Sequence, residues 1–142
     1  MQKRIKFLIF ALIVIGIFFL TTQSSKDTLG LSNGVRETIV DFLSRIGFDV
    51  SDAWWNNSIN FRRIGHVMEY GILGIAACIL TKEVGWSIMM CGFISIVDQI
   101  VKTYVPGRHF DAKDWAFDMV GYVCGSIVVF LVTKIFSNHR SR

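Results

Sequence analysis

Long apolar runs alternate with short polar segments along the whole chain. The first run covers residues 7–20, and further runs cover 64–80, 84–101 and 115–133. The last three runs are 17–19 residues long, close to the ~20 residues with which a helix crosses a ~30 Å hydrocarbon core. Because their connections are short, we predict an all-α membrane protein, a small four-helix bundle in a single domain over 1–142. The predicted spans are roughly 5–22, 62–81, 84–104 and 114–136.

The outer segment between the first two predicted spans, residues 23–61, is too long for a plain turn. Its start is polar, and Asn33 is placed to cap a helix over residues 34–46. One face of such a helix is apolar and carries Val35, Ile39, Phe42, Leu43 and Ile46. We predict an amphipathic interfacial helix here, with a helix that caps the bundle as the alternative.

The composition narrows the class of protein. Of the 142 residues, 52% are hydrophobic and 18% are charged, whereas a soluble domain carries about 25% charge. Disorder, a disulfide scaffold and an ordinary soluble enzyme are therefore excluded. The three cysteines all lie in apolar runs, which predicts small core residues. No basic stripe with interleaved aromatics accompanies the net charge of +4, so we expect membrane lipids and no nucleic acid as its partner.

Basic residues predict the orientation of the spans. They cluster at the two chain ends and in the second connection, as Lys3, Arg4, Lys6, Lys82, Lys134, Arg140 and Arg142. With four spans, both termini are then cytoplasmic. Ten of the eleven acidic residues fall toward the outer side under this topology. The first span is interpreted as an uncleaved anchor, since a small-residue cleavage pattern is poor after it; a cleaved signal peptide is the alternative.

Ionisable residues collect at the predicted outer ends of the spans. Arg62, His66 and Glu69 share one helix face by their spacing. Four further members come from the other segments, namely Asp98, Arg108, Asp114 and Asp118. Each such group costs ~2.5–3.5 kcal/mol on insertion scales, so they should face inward and satisfy one another. Intramembrane charge points to function, but ion pairs of Glu69 with Arg62 or Arg108, and of Asp114 with Arg63, would also simply lock the bundle.

Two stretches of the chain resemble the signatures of VanZ-like membrane proteins. Residues 61–74 contain an aromatic residue, two basic residues and then His-x-x-Glu-Tyr-x-x-Leu-Gly. Residues 98–125 are similar to the second signature and supply Asp98, Tyr104, Pro106-Gly107-Arg108, Asp114, Asp118, Gly121 and Gly125. The polar residues 22–25 also resemble the family's stretch after the first span. The resemblance covers about 5–135.

The resemblance implies a cell-envelope membrane protein of the teicoplanin-resistance type, since the family is named for a protein linked to resistance against that lipid-tailed glycopeptide. It does not imply a mechanism. Two positions depart from the family pattern: Gln99 replaces a usual Glu, and Lys102 replaces a usual Gln. These changes make the outer end less acidic and weaken any mechanism that needs two adjacent carboxylates.

Three functions are compatible with these residues. The protein engages an amphiphile, namely a lipid-linked cell-wall precursor, a phospholipid or a lipoglycopeptide such as teicoplanin. Alternatively, it is a membrane enzyme that acts on a lipid-linked phosphate with His66 as general base, or a structural subunit with locking ion pairs. The candidate catalytic residues are His66, Glu69, Arg108 and Asp114, and the candidate binding residues are Arg62, Arg63, Tyr70, Asp98 and Asp118. We expect no resident cofactor, with a divalent ion on the acids and His66 as a weaker alternative.

Overall fold

The computed structural model describes residues 2–140, and the side chains of these residues except 25 and 138–140. Its elements are five α-helices and one short 3₁₀ helix. They are α1 (Gln2–Thr22), α2 (Ser25–Arg45), the 3₁₀ helix (Trp54–Asn56), α3 (Ser58–Thr81), α4 (Val84–Lys102) and α5 (Ala112–Arg140). Two basic residues of the orientation prediction are not covered: Arg142 lies outside the described residues, and so does the side chain of Arg140.

Four of the helices, α1, α3, α4 and α5, are long and apolar enough to cross a membrane. Their outward surfaces are lined with large apolar side chains, and Leu12, Met89, Phe93 and Phe136 are each more than half exposed. A soluble protein would bury such residues, whereas lipid solvates them. The prediction of an all-α multi-pass membrane protein with four spans is confirmed.

Helices α3 and α5 run in the same direction and form the closest pair in the bundle. His66 meets Asp118 near the start of both helices, and the Ser126 hydroxyl donates to the Gly74 carbonyl, at 3.3 Å, further along both. Helix α4 runs antiparallel between them, because Ser87 contacts Ser126 and Ser95 contacts Asp118. A fixed register between α3 and α5 therefore decides which of their polar residues meet.

Glycines set the distance between α3 and α5. A Cβ atom built on Gly125 would overlap the carbonyl oxygen of Gly71, and one on Gly121 would overlap that of Val67. Gly74 in turn lies against the backbone of Tyr122, whose Cα would be 2.8 Å from an added Cβ. Small residues allow helix backbones in membranes to approach closely. These glycines therefore serve helix packing.

The apolar core lies where α1 and α4 pack on this pair. Phe10 and Ile17 of α1 contact Tyr70 and Leu73 of α3 and Tyr122 of α5 in one buried cluster. Cys91 of α4 belongs to the same cluster, and Cys78 is also buried. Cys124 is exposed, so the prediction that all three cysteines are core residues is wrong for this position. An apolar side chain on an outward helix face gives the same sequence signal as one facing inward.

Helix α2 is longer than the sequence predicted. It begins at Ser25 instead of residue 34, because Ser24 accepts a hydrogen bond from the Asp27 backbone N–H at 3.2 Å and donates to the Asp27 carboxylate at 2.6 Å. This serine N-cap fixes the helix start nine residues earlier. Asn33, which the sequence indicated as the cap, lies inside α2.

The apolar face of α2 points away from the bundle. Val35, Ile39, Phe42 and Ile46 are all exposed, while Leu43 is half-buried. A helix that capped the bundle would bury this face against the spans, whereas an interfacial helix buries it in lipid. Arg36 fixes the other side of α2 by donating to the backbone oxygen and the side-chain oxygen of Asn56, both at 3.0 Å. The structure therefore agrees with an amphipathic interfacial helix.

Candidate functional site

Asp114 is the acceptor on which the basic residues of α3 converge. Its carboxylate lies 2.9 Å from an Arg62 guanidinium nitrogen, 3.9 Å from Arg63 Nε and 3.6 Å from His66 Nε2. Asp114 is buried in the first turn of α5, where the helix dipole favours a negative charge. The parallel alignment of α3 and α5 places these three bases beside it, since they lie within the first nine residues of α3 and Asp114 lies in the first turn of α5.

One turn further into the bundle, His66 also approaches a second carboxylate. Its Nδ1 lies 3.1 Å from Asp118 Oδ1, although the two are not aligned as a hydrogen bond. Asp118 is fully buried, and its other oxygen accepts from Ser95 Oγ at 3.3 Å and from Gln99 Nε2 at 3.2 Å. The imidazole therefore sits between two aspartates, one near the surface and one held in place by α4.

A separate ion pair lies within α4, and a hydrogen bond joins it to α1. Lys102 Nζ lies 2.9 Å from Asp98 Oδ2, one helical turn away on α4, and the Thr21 hydroxyl donates to the other Asp98 oxygen. Asp98 and Lys102 are both buried. The sequence treated Lys102 only as a departure from the family pattern. Its i, i+4 spacing from Asp98 was the available signal that the two charges pair.

Arg108 differs from the other basic residues of the site because its observed hydrogen bonds go to uncharged groups. One guanidinium nitrogen donates to the Thr21 carbonyl at 3.1 Å, and another donates to the Thr28 hydroxyl. Among the described residues no carboxylate lies within ion-pair distance of Arg108. Burial and the nearby positive charge of Arg62 lower the pKa of the Arg108 guanidinium, which nonetheless stays protonated.

A small cavity of about 80 Å³ opens at this end of the bundle. Basic side chains predominate in its lining, which consists of Arg62, His66, Lys102, Gly107, Arg108, His109, Asp111 and Asp114. Asp111 precedes α5 and accepts the Lys113 backbone N–H at 2.8 Å. Burial alone would raise the pKa of Asp111. The backbone hydrogen bonds from Lys113 and Asp114 and the charges of Arg63 and Arg62 outweigh burial and hold that pKa below its usual value.

Two of the candidate residues, Glu69 and Tyr70, lie beside the cavity and not in its lining. Glu69 is half-buried and forms no ion pair within the described part of the chain, so the expected pairs with Arg62 or Arg108 are absent there. Tyr70 is buried in the core, and its hydroxyl lies near Asp98 without a full hydrogen bond. The expected pair of Asp114 with Arg63 is present, and the shorter contact of Asp114 is to Arg62.

Buried polar atoms without a well-formed hydrogen bond are concentrated at this site. Nine of the eleven such side-chain atoms found belong to it or border it, on Arg62, Arg63, His66, Tyr70, Gln99, Lys102, Asp114, Trp115 and Asp118. Native interiors normally pair their buried polar groups, and clusters of exceptions often coincide with functional sites. Five of these atoms also lie in the ion pairs described above, whereas those of Arg62, Tyr70, Gln99 and Trp115 do not.

The structure thus brings most candidate residues to one place and adds others. Arg62, His66, Arg108 and Asp114 line the cavity, whereas Asp98 and Asp118 lie behind it and Arg63 flanks it. Sequence analysis missed Thr21, Thr28, Ser95 and Gln99 as partners of the charged residues, since single hydroxyls and amides give no pattern. Within residues 2–140, no group of three or more His, Cys, Asp or Glu side chains is placed to hold one metal ion.

Comparison with known proteins identifies the family of the chain. A family model described as VanZ/LLP1 matches residues 7–133, which include all of the charged residues of the site. No curated protein and no solved structure matches the chain. Because the family model covers most of the sequence, the chain belongs to the VanZ-like family, as the two sequence signatures indicated.

Proposed function

We propose that this VanZ-like membrane protein binds the anionic head of an amphiphile in the cavity beside Arg62 and Arg108. The observation that carries this proposal is that the Arg108 guanidinium lines the cavity without a carboxylate partner among the described residues. Asp114 is shared by three bases, whereas Arg108 has only uncharged partners among the described residues. A phosphate or carboxylate would accept from both guanidinium groups and relieve their mutual repulsion.

The position of the cavity explains why an amphiphile fits better than a soluble anion. Arg62 and Asp114 lie near the starts of two helices that are long and apolar enough to span the membrane, so the cavity opens at the boundary between apolar and polar surroundings. The head of a lipid-linked cell-wall precursor, a phospholipid or a lipoglycopeptide such as teicoplanin occupies this depth. Partial burial also strengthens the attraction of the arginines for an anion.

The orientation proposed with this function places the cavity on the outer side of the cell membrane and both chain ends in the cytoplasm. Lys6 and Lys82 line a second cavity together with Thr133, so α1 starts and α5 ends at the same end of the bundle, opposite the polar cluster. Basic residues near short connections favour the cytoplasmic side. Glu83 is the one acidic residue at that end.

The orientation is tested by labelling single cysteines in a cysteine-free background. Ser51, in the segment between α2 and α3, should react as Ser51→Cys with a membrane-impermeant maleimide added to intact cells. Glu83→Cys, at the opposite end, should react only after the membrane is permeabilised. Reversed labelling of the two positions would overturn the orientation and, with it, the outward-facing cavity.

Arg108→Ala should weaken anion binding and leave the protein folded. A hydrogen bond to a charged group contributes ~1.5–3 kcal/mol, so we expect phosphatidic acid in phosphatidylcholine nanodiscs to bind about ten- to hundredfold more weakly. Membrane abundance and thermal stability should change little, because the lost partners, Thr21 and Thr28, are uncharged. In cells, any tolerance to teicoplanin that the wild type confers should fall by more than abundance does.

Arg36→Ala is the matched control for Arg108→Ala. Arg36 also donates two hydrogen bonds to uncharged groups, both on Asn56, but it lies outside the cavity. The control should keep wild-type affinity for phosphatidic acid. If both variants bind phosphatidic acid with the same affinity, or if Arg108→Ala loses tolerance only in proportion to abundance, the bound-anion proposal is wrong. The result would then support a structural subunit whose ion pairs lock the bundle.

The second candidate is catalysis on a lipid-linked phosphate. It is favoured by His66, whose two nitrogens approach Asp114 and Asp118 while Asp118 is fixed by Ser95 and Gln99. Asp118 would hold the imidazole at Nδ1, and Nε2, whose distance to Asp114 is the longer 3.6 Å, would accept a proton beside an anion held by arginine. Wild-type protein in nanodiscs should then release phosphate from phosphatidic acid or a prenyl phosphate, and His66→Gln should not. Binding without release would retain the first function and exclude the second for these lipids.

A further inference from the structure

A second, apolar cavity lies on the lipid-facing side of α4 and α5. It has a volume of about 340 Å³ and is lined by Ile96, Gln99, Ile100, Thr103, Phe110 and Trp115. We call it the α4–α5 groove. Ile96, Ile100 and Phe110 are each about half exposed, so the groove is open along its length to the surrounding acyl chains. It lies at the same end of the bundle as the polar cavity.

The groove and the polar cavity are neighbours on either side of the loop between α4 and α5. Successive loop residues separate them, because His109 lines the polar cavity and Phe110 lines the groove. Gln99 connects them from below: its side chain lines the groove, and its Nε2 donates to Asp118, the carboxylate that His66 approaches. A molecule with a charged head and an apolar tail would therefore pass from one to the other around this loop.

Resting on the function proposed above, we infer that the α4–α5 groove holds the acyl or prenyl tail of the amphiphile whose anionic head binds beside Arg62 and Arg108. The volume and the almost wholly apolar lining suit one hydrocarbon chain and would exclude a hydrated group. Trp115 adds an aromatic wall next to the buried carboxylates. The site is thus a two-part site that selects amphiphiles over both soluble anions and uncharged lipids.

The adjacency of the two cavities across one loop favours this occupant over another protein. A helix docked along α4 and α5 would cover Ile96 and Ile100 but would not use the cationic cavity around the loop. A lipid tail can enter sideways from the bilayer while its head stays at the interface, which needs no opening of the bundle. The two contacts together should retain a lipid longer than either contact alone.

Fluorescence quenching of Trp115 tests the tail site directly. Of the four tryptophans, Trp54, Trp55 and Trp86 are replaced by Phe, so that only Trp115 emits. The protein is placed in phosphatidylcholine nanodiscs that contain a small fraction of phosphatidic acid with brominated chains, or the same fraction of brominated phosphatidylcholine. We expect quenching that corresponds to about tenfold enrichment of the phosphatidic acid, the ratio that ~1.4 kcal/mol of extra binding produces.

Filling the groove should abolish this enrichment without affecting the binding of the head. Ile100→Phe, or Thr103→Phe from the end of α4, should reduce quenching by brominated phosphatidic acid to the level of brominated phosphatidylcholine. Inorganic phosphate, measured by calorimetry, should bind these variants as it binds the wild type. Ile72→Phe is the matched control on the lipid-facing side of α3, outside both cavities, and should retain the enrichment.

The two levels of the proposal fail in different ways. If phosphate binds and Arg108→Ala weakens it, but Trp115 is quenched equally by both brominated lipids, the tail site is wrong and the head site stands. If wild-type protein binds neither phosphate nor phosphatidic acid, the proposed function is wrong and the tail site falls with it. Enrichment that survives both groove-filling variants would place the tail elsewhere.

Discussion

Asp114→Ala is expected to destabilise the protein by about 3 kcal/mol and to lower its abundance in the membrane. The substitution removes the carboxylate that Arg62, Arg63 and His66 share, and it leaves these bases unpaired at the end of a membrane bundle. Breaking a buried pair by deleting one partner typically costs ~3–5 kcal/mol. The lower end applies because the cavity admits some water. Thermal unfolding of the purified protein and quantification in membranes measure the effect.

Asp111→Ala is the control for Asp114→Ala. Asp111 lines the same cavity three residues earlier, but its close contact is the backbone N–H of Lys113, a helix cap that contributes ~0.5–2 kcal/mol. It should therefore be the milder of the two substitutions. Equal stability losses would show that the convergence on Asp114 is not what holds α3 and α5 together at this end.

The structure changes which acidic residue is expected to matter most for stability. The sequence suggested that Glu69 neutralises Arg62 or Arg108, which would make Glu69→Ala the damaging substitution. Glu69 pairs with neither arginine, whereas Asp114 contacts Arg62 at 2.9 Å. Glu69→Ala should therefore leave the network around Asp114 intact and lower abundance less than Asp114→Ala does.

Gly125→Val should have the largest effect on the fold itself. A side chain at this position would collide with the Gly71 carbonyl and would also lie 3.2 Å from the Ile75 backbone nitrogen. Backbone atoms cannot move aside as a flexible side chain can, so α3 and α5 must separate. Overpacking in a well-packed core typically costs ~1–3 kcal/mol, and a clash with backbone belongs at or above the upper end.

The expected readout of Gly125→Val includes the distant polar site. Separation of the helices would move Arg62 and His66 away from Asp114 and Asp118, so binding of phosphatidic acid should fall together with thermal stability. Gly65→Val is the control on α3, since an added Cβ there meets no atom within 4 Å. Normal stability of Gly125→Val would contradict the close packing of α3 on α5.

Comparison of the two sets of variants separates function from structural locking. Asp114 and Gly125 hold the site together, so their loss should lower binding and stability together. Arg108 and the α4–α5 groove contribute little to the bundle, so their variants should lower binding alone. A protein in which the charges only lock helices would show no variant of the second kind.

Hydrophobic pattern alone determined the membrane class, the number of spans and the presence of an amphipathic helix between the first two spans. The reason is that hydrocarbon must contact apolar side chains over about the full length of each spanning helix, which leaves a continuous signal in the sequence. The depth of Arg62, His66 and Asp114 followed from the same pattern, since their places along the spans are fixed by counting residues. The two family signatures lay on these positions as well.

Only the tertiary structure decided which of the charged residues at this depth contact one another. Side-chain identity could not show that Asp114 takes three bases, that Lys102 neutralises Asp98 or that Glu69 stays outside the pairs. These pairings depend on the rotation and register of α3 against α5. The glycines fix both, because the two backbones approach so closely that even a Cβ atom would not fit between them. The start of α2 was predicted too late in the chain, because the polar composition of residues 21–33 indicated a loop. Two hydrogen bonds between Ser24 and Asp27 start the helix there instead. The groove beside Trp115 had no sequence signal, because lipid-facing and cavity-lining side chains are both apolar.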